Sequence, residues 1–151
     1  MKISKTLARL AAAGALLLTL TACAPTVNLE AAPDANNPAC AEVSVRLPDE
    51  IDGNTKRVTN AQATAAWGNP SAVILRCGLP TVEVSTLSCV SAGGVDWLVD
   101  DSQSPSYRFI SFGRTPATEV IVDSSAIAGV TALDALASAV KNIDATKTCS
   151  E

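Results

Sequence analysis

The sequence predicts an α+β sandwich, with several strands in a mostly antiparallel sheet, helices on one face and two disulfides. Three observations predict it. Short runs rich in Val, Ile and aromatic residues recur between Gly- and Pro-containing breaks from residue 72 to residue 122. After them one stretch, Ile127 to Val140, repeats apolar residues at helical spacing. Four cysteines lie across the same region of a chain that begins with an export signal.

That signal is the first element. Lys2, Lys5 and Arg9 form a basic head, and Leu10 to Leu20 form an apolar run of signal-peptide length before the small residue Ala22. A membrane span needs about 20 apolar residues to cross roughly 30 Å of hydrocarbon, so the run is too short to be a good one. Leu20-Thr21-Ala22-Cys23 also fits the bacterial lipobox, an aliphatic residue and two small ones before the cysteine that takes a diacylglycerol. The expected organisation is a lipoprotein signal over 1–22, a flexible tether over 23–39 following lipidated Cys23, and a single α+β domain over 40–151. The expected location is the outer face of the cell membrane. Residues 24–39, rich in Ala, Pro and Asn without an apolar period, would reach roughly 20–25 Å as a coil.

Cleavage before Cys23 removes three of the eleven basic residues. Eight then face fifteen acidic ones, a net charge of −7 on 129 residues. So acidic a chain is a poor partner for nucleic acid or anionic lipid headgroups through charge alone.

In the folded part, Cys40, Val43, Leu47 and Ile51 fit a helical stripe, while Val43, Val45 and Leu47 alternate like a strand. Pro48 ends either element, and Asp52-Gly53-Asn54 is a turn. Ala61 to Ala66 reads as a short helix before the Trp67-Gly68-Asn69-Pro70 break. The apolar run Ala72 to Leu75, leading to Cys77 and Gly78, reads as a central strand. Three more strands are expected at Val95–Val99, Tyr107–Phe112 and Thr118–Val122, four to five in all. The last helix carries Ile127, Val130, Leu133, Leu136, Ala137 and Val140 on one side, with Ser124 or Ser125 available to cap it.

With Cys23 lipidated, Cys40, Cys77, Cys89 and Cys149 remain, and four cysteines in an exported chain suggest two disulfides with three connectivities. Cys77 and Cys89 are nearest in sequence and close the cheapest loop. The expected pairs are therefore Cys77–Cys89 and Cys40–Cys149. If the first element is a helix lying antiparallel to the last, Cys40 and Cys149 would meet. None of the four forms a CxxC pair, so zinc is not expected, nor is any cofactor.

Several motifs together resemble a known family. They are Ala66-Trp67-Gly68-Asn69-Pro70, the run Val73 to Gly78, Gly94-Val95-Asp96-Trp97, Phe112-Gly113-Arg114-Thr115-Pro116 and the strand Glu119 to Val122. In that order they resemble the actinobacterial domain of unknown function 3515, whose members look like secreted proteins or lipoproteins. The likeness covers about residues 39–149. Where that family usually has Asn-Gly-Val-Asp-Trp, this chain reads Gly93-Gly94-Val95-Asp96-Trp97. The resemblance implies a leading helix, which favours helix over strand at residues 40–47. It brings no catalytic residues.

The chain has no histidine, which excludes Ser-His-Asp triads, Cys-His nucleophiles and imidazole metal sites. Ser138-Ala139-Val140-Lys141 spells S-x-x-K, but at the end of a helix and without the partner motifs. Asp96, Asp100, Asp101 and Asp123 offer carboxylates for a glycosidase-like pair, with a polar turn and an Asp96–arginine pair as the plainer reading. The same aspartates lack the ligand spacing of a calcium loop. Of the five aromatics, Trp97, Tyr107, Phe109 and Phe112 lie within sixteen residues on adjacent predicted strands. Arg76, Arg108 and Arg114 lie beside these elements and could grip a carboxylate or phosphate. Trp67, Trp97, Arg114 and Asp96 are therefore the candidate ligand-binding residues. The plainer reading makes the aromatics core and pairs Arg114 with Asp96 or Glu119.

Function is accordingly expected to be that of a lipid-anchored, non-catalytic envelope protein that binds a cell-wall component or a partner protein. A small carboxylate hydrolase of envelope polymers, and an inhibitor or chaperone-like accessory, are the alternatives.

Overall fold

The computed structural model describes residues 25–149. The signal segment and Cys23 lie outside them. The elements are helix α1 (Pro38–Ser44), strands β1 (Glu50–Ile51), β2 (Asn54–Arg57), β3 (Thr64–Trp67), β4 (Val73–Leu79), β5 (Ser88–Ala92), β6 (Val95–Gln103), β7 (Ser106–Ser111) and β8 (Ala117–Asp123), then helix α2 (Gly129–Val140). The strands form an antiparallel sheet of eight in the order β1-β2-β3-β4-β8-β7-β6-β5. It is two four-strand meanders joined where β4 pairs with β8, with Val73 opposite Val122 and Arg76 opposite Glu119.

Strand alternation sorts the residues onto two faces. Val73, Leu75 and Cys77 of β4, Val120 and Val122 of β8, and Val95 and Trp97 of β6 point toward the helices and join one core. α1 adds Cys40 and Val43, while α2 adds Ala132, Leu133, Leu136, Ala137, Ala139 and Val140. Both helices thus belong to the same face, as the sequence predicts. The opposite face carries a smaller cluster of Ala32, Leu79, Leu98, Ile110 and Ala117. Leu79 reaches that face because the β4–β8 register shifts at Gly78. Gly78 has φ +108°, and a Cβ there would sit 2.5 Å from the backbone of Asp34 and Ala35, so only glycine fits this crossing.

Several expectations are corrected. The sheet has eight strands rather than four to five, because β1, β2 and β5 are short and mostly solvent-facing and give no alternating pattern. Residues 61–66 are not a helix. Thr64–Trp67 is a strand, since pairing with both β2 and β4 overrides the helical preference of Ala65 and Ala66. Neither Ser124 nor Ser125 caps α2, whose N-cap is Ala128. The amide of Ser125 instead donates to Asp123 Oδ1 at 2.9 Å.

The described part of the expected tether is not free coil. Val27 forms a bridge to Thr59, its amide donating to Val58 O at 2.9 Å. Asp34 donates to Gly78 O at 2.9 Å, and Ala32 and Ala35 are buried. Backbone hydrogen bonding to the sheet, invisible in composition, holds the segment down.

The disulfides are two, as expected, but they pair differently. Cys40 joins Cys77, and Cys89 joins Cys149. Cys77 lies on β4 and Cys89 on β5, four strand spacings away in the sheet order. That is roughly 19 Å, far beyond the about 7 Å Cα limit of a disulfide. Proximity in sequence misled because β5 sits on the far edge. Among the described residues no helix is long and apolar enough to cross a membrane.

Candidate functional site

Trp67 and Trp97 do not line a groove. Both are fully buried in the helix-facing core. Trp67 Nε1 donates to Pro48 O at 2.9 Å, which fixes the loop before β1. Arg114 is also buried, at 6% exposure. Its guanidinium donates through Nη1 to Ile143 O and forms an ion pair with neither Asp96 nor Glu119, correcting the expected partner. Burial pushes the Arg114 pKa down, with the charges of Asp144 and Asp96 opposing that shift.

Asp96 instead accepts from the Cys149 amide at 2.8 Å and from the Ser91 hydroxyl. Together with Thr146 N–H to Gly113 O at 2.7 Å, these bonds fasten residues 143–149 against the sheet. The four residues singled out in the sequence are therefore core and tail-fastening groups, and only Asp96 is partly exposed. Replacing Arg114 with Ala removes a charged, buried hydrogen bond and should cost about 1.5–3 kcal/mol in urea unfolding. An unchanged midpoint would remove Arg114 from this structural role.

The arrangement that brings charge and an open surface together lies on the other face. Alternation puts Ile74 and Arg76 of β4, Arg108 of β7, and Glu119 and Ile121 of β8 opposite the helices. Glu119 is 2% exposed. Arg76 Nε donates to its Oε2 at 2.8 Å, with Nη2 at 2.7 Å from the same oxygen, and Arg108 Nε donates to Oε1. The two arginine side chains are 31% and 38% exposed, so each guanidinium has one side on the carboxylate and part of its surface in solvent. A groove of about 490 Å³ runs over Ile74, Arg76, Glu119 and Ile121, with Asn28, Leu29 and Glu30 as its rim. The signal for it was present in the sequence, as a lone Glu within the apolar strand Thr118–Val122 and a lone Arg within Val73–Cys77.

Asp100 and Asp123 are held ionised and are unsuited to act as general acids. The hydroxyl and amide of Ser102 hold the Asp100 carboxyl below the usual carboxylate range, and Ser125 does the same for Asp123. A general acid for glycoside hydrolysis needs the opposite shift. Ser138 and Lys141, the S-x-x-K residues, are both exposed on the helix end. Among the described residues no cluster of three or more Cys, Asp or Glu side chains is placed to hold a metal ion.

The family model described as "Protein of unknown function (DUF3515)" matches residues 6–148 of the chain. No curated protein and no solved structure matches it.

Proposed function

Since the chain belongs to the DUF3515 family of proteins of unknown function, we propose from its own chemistry that it is a lipid-anchored extracytoplasmic envelope protein. Its role in this reading is binding or accessory rather than catalytic, toward a cell-wall component or another envelope protein. The observation that carries the reading is the open sheet face, where an apolar floor of Ile74 and Ile121 meets Arg76 above a carboxylate already committed to two guanidiniums. Such a surface can recognise a ligand through apolar contact and guanidinium hydrogen bonds, while its buried carboxylate, Glu119, is held in place by its partners. Two disulfides fit an oxidising compartment, and the lipobox around Cys23 supplies the attachment.

The anchor is tested at one atom, the sulfur of Cys23. The Cys23→Ala protein should take no lipid label, should keep its signal segment uncleaved at this site, and should lose the labelled, salt-resistant membrane fraction. Label retained on membranes after a high-salt wash would overturn the lipoprotein reading.

A further inference from the structure

We propose that the β1–β2 edge of the sheet, around Arg57 and Val58, is the surface this protein lays against the phospholipid headgroups of its membrane. The proposal rests on the lipid-anchor reading at Cys23 and adds an orientation to it. An anchor on a free tether would leave the domain to tumble, but here the chain is fastened almost from its anchor onward. Arg57 Nη2 donates to Pro25 O at 2.5 Å, while Nη1 of the same guanidinium holds Gly68 O at 3.1 Å. The next residues continue the attachment. The Leu29 amide donates to Asn60 Oδ1 at 2.8 Å, and Asn60 Nδ2 donates to Asn28 Oδ1 at 3.0 Å.

Only Ala24 separates Pro25 from Cys23. Two residues reach at most about 7 Å, so the acyl chains leave the protein beside Arg57. The far edge, β5, lies six strand spacings from β2 in the sheet order. At the usual spacing that is roughly 29 Å, four times what the free residues can span. The attachment therefore keeps the β1–β2 edge nearest the membrane and the β5 edge farthest from it.

The surface found there suits an interface with headgroups. Val58 is 72% exposed and presents an apolar side chain at this edge. Beside it a concavity of about 550 Å³ is lined by Asn54, Lys56, Arg57, Val58 and Asn69; the Arg57 and Asn54 donors are bonded within the chain, and Lys56 and Asn69 Nδ2 are the donors turned to headgroups. Asp49, Glu50 and Asp52, on and beside β1, offset the charge of Lys56 and Arg57. Contact through this edge accordingly depends on the nearby anchor and on short-range headgroup hydrogen bonds, and long-range attraction to anionic lipid contributes little.

The test uses the lipidated full chain in phosphatidylethanolamine–phosphatidylglycerol vesicles, carrying an environment-sensitive fluorophore at either Val58→Cys or Gln103→Cys. Both positions are exposed, and Gln103 lies on β6, five spacings from β2. Headgroup-labelled quencher lipids should quench the label at 58 at least threefold more than the label at 103. Equal quenching, or more at 103, would overturn the orientation. Mass spectrometry of the same preparations separates the two readings. An unmodified Cys23 sinks the anchor and the orientation with it, whereas a modified Cys23 with equal quenching sinks the orientation alone. In the Arg57→Gln background the difference between the two labels should shrink. A difference left whole would overturn the role given to the Arg57 clamp.

Discussion

Replacing Cys40 and Cys77 together with alanine should destabilise the domain by about 4 kcal/mol. The bridge closes a separation of 37 residues, and the loop-entropy account places such a loop between the about 3 kcal/mol of a 15-residue loop and the about 4.7 of a 100-residue one. Both cysteines are 0% exposed and tie α1 to the central strand β4, so no other covalent link holds that helix to the sheet. Against a total of about 5–15 kcal/mol for a domain of this size, the loss would leave a marginal fold at growth temperature. The Cys89→Ala/Cys149→Ala protein has the longer loop, a separation of 60, yet should lose less than its loop length implies. Its tail remains fastened by the Cys149 amide on Asp96, by Thr146 on Gly113 and by Arg114 on Ile143 O. Urea unfolding of the two variants measures this ordering. Non-reducing peptide mapping checks its premise, since a fragment linking Cys77 to Cys89 would overturn the pairing on which it stands.

The same bridges mark where sequence reasoning reached and where it stopped. The central strand is legible because Val73 and Leu75 are fully buried on the helix face and Ile74 half-buried on the other, which makes a continuous apolar run. Helix α2 is legible because Leu133, Leu136, Ala137 and Val140 face the core at helical spacing, although Val130 of the same stripe is 59% exposed and Ile127 precedes the helix. Ser88 to Ala92 was not legible as a strand. Only Ala92 is buried there, so no period-2 pattern was ever written into it. Missing that strand also removed the fact that separates Cys89 from Cys77. The order of strands in a sheet is a non-local property, decided by β4 finding β8 across more than forty residues, and loop length says nothing about it. Of the two readings open for the aromatics, core holds for Trp67, Trp97 and Phe109, so the two tryptophans are not ligand-binding residues, and Arg114 meets a backbone carbonyl where the sequence suggests a carboxylate. A strand exit places a side chain against whatever the tail brings, and the tail's path was unwritten. Arg76 and Arg108 read in the sequence as groups able to grip a ligand's carboxylate or phosphate, but the carboxylate they meet is the chain's own Glu119, which the sequence offered only to Arg114.

That cluster yields the second large effect. In the Arg76→Met/Arg108→Met protein, Glu119, 2% exposed in the wild type, loses both guanidiniums. An uncompensated buried charge costs about 3–5 kcal/mol. The lower end is expected here, because the open face lets water reach the space the arginine heads leave. Adding Glu119→Leu to make the triple variant removes the stranded charge and should recover most of that loss, since apolar replacement of a whole buried ion cluster is often neutral or stabilising by about 1–4 kcal/mol. Urea midpoints at constant m-value measure both steps. A triple variant as unstable as the double would mean that the arginine stems, and not the charge balance at Glu119, hold this face together. The recovered triple variant then serves a second purpose. It keeps the fold and the Ile74–Ile121 floor while deleting the guanidiniums, so its failure to retain an envelope partner captured by the wild-type protein would assign recognition to Arg76 and Arg108. Retention of that partner at wild-type strength would remove both arginines from the binding surface and confine them to the sheet.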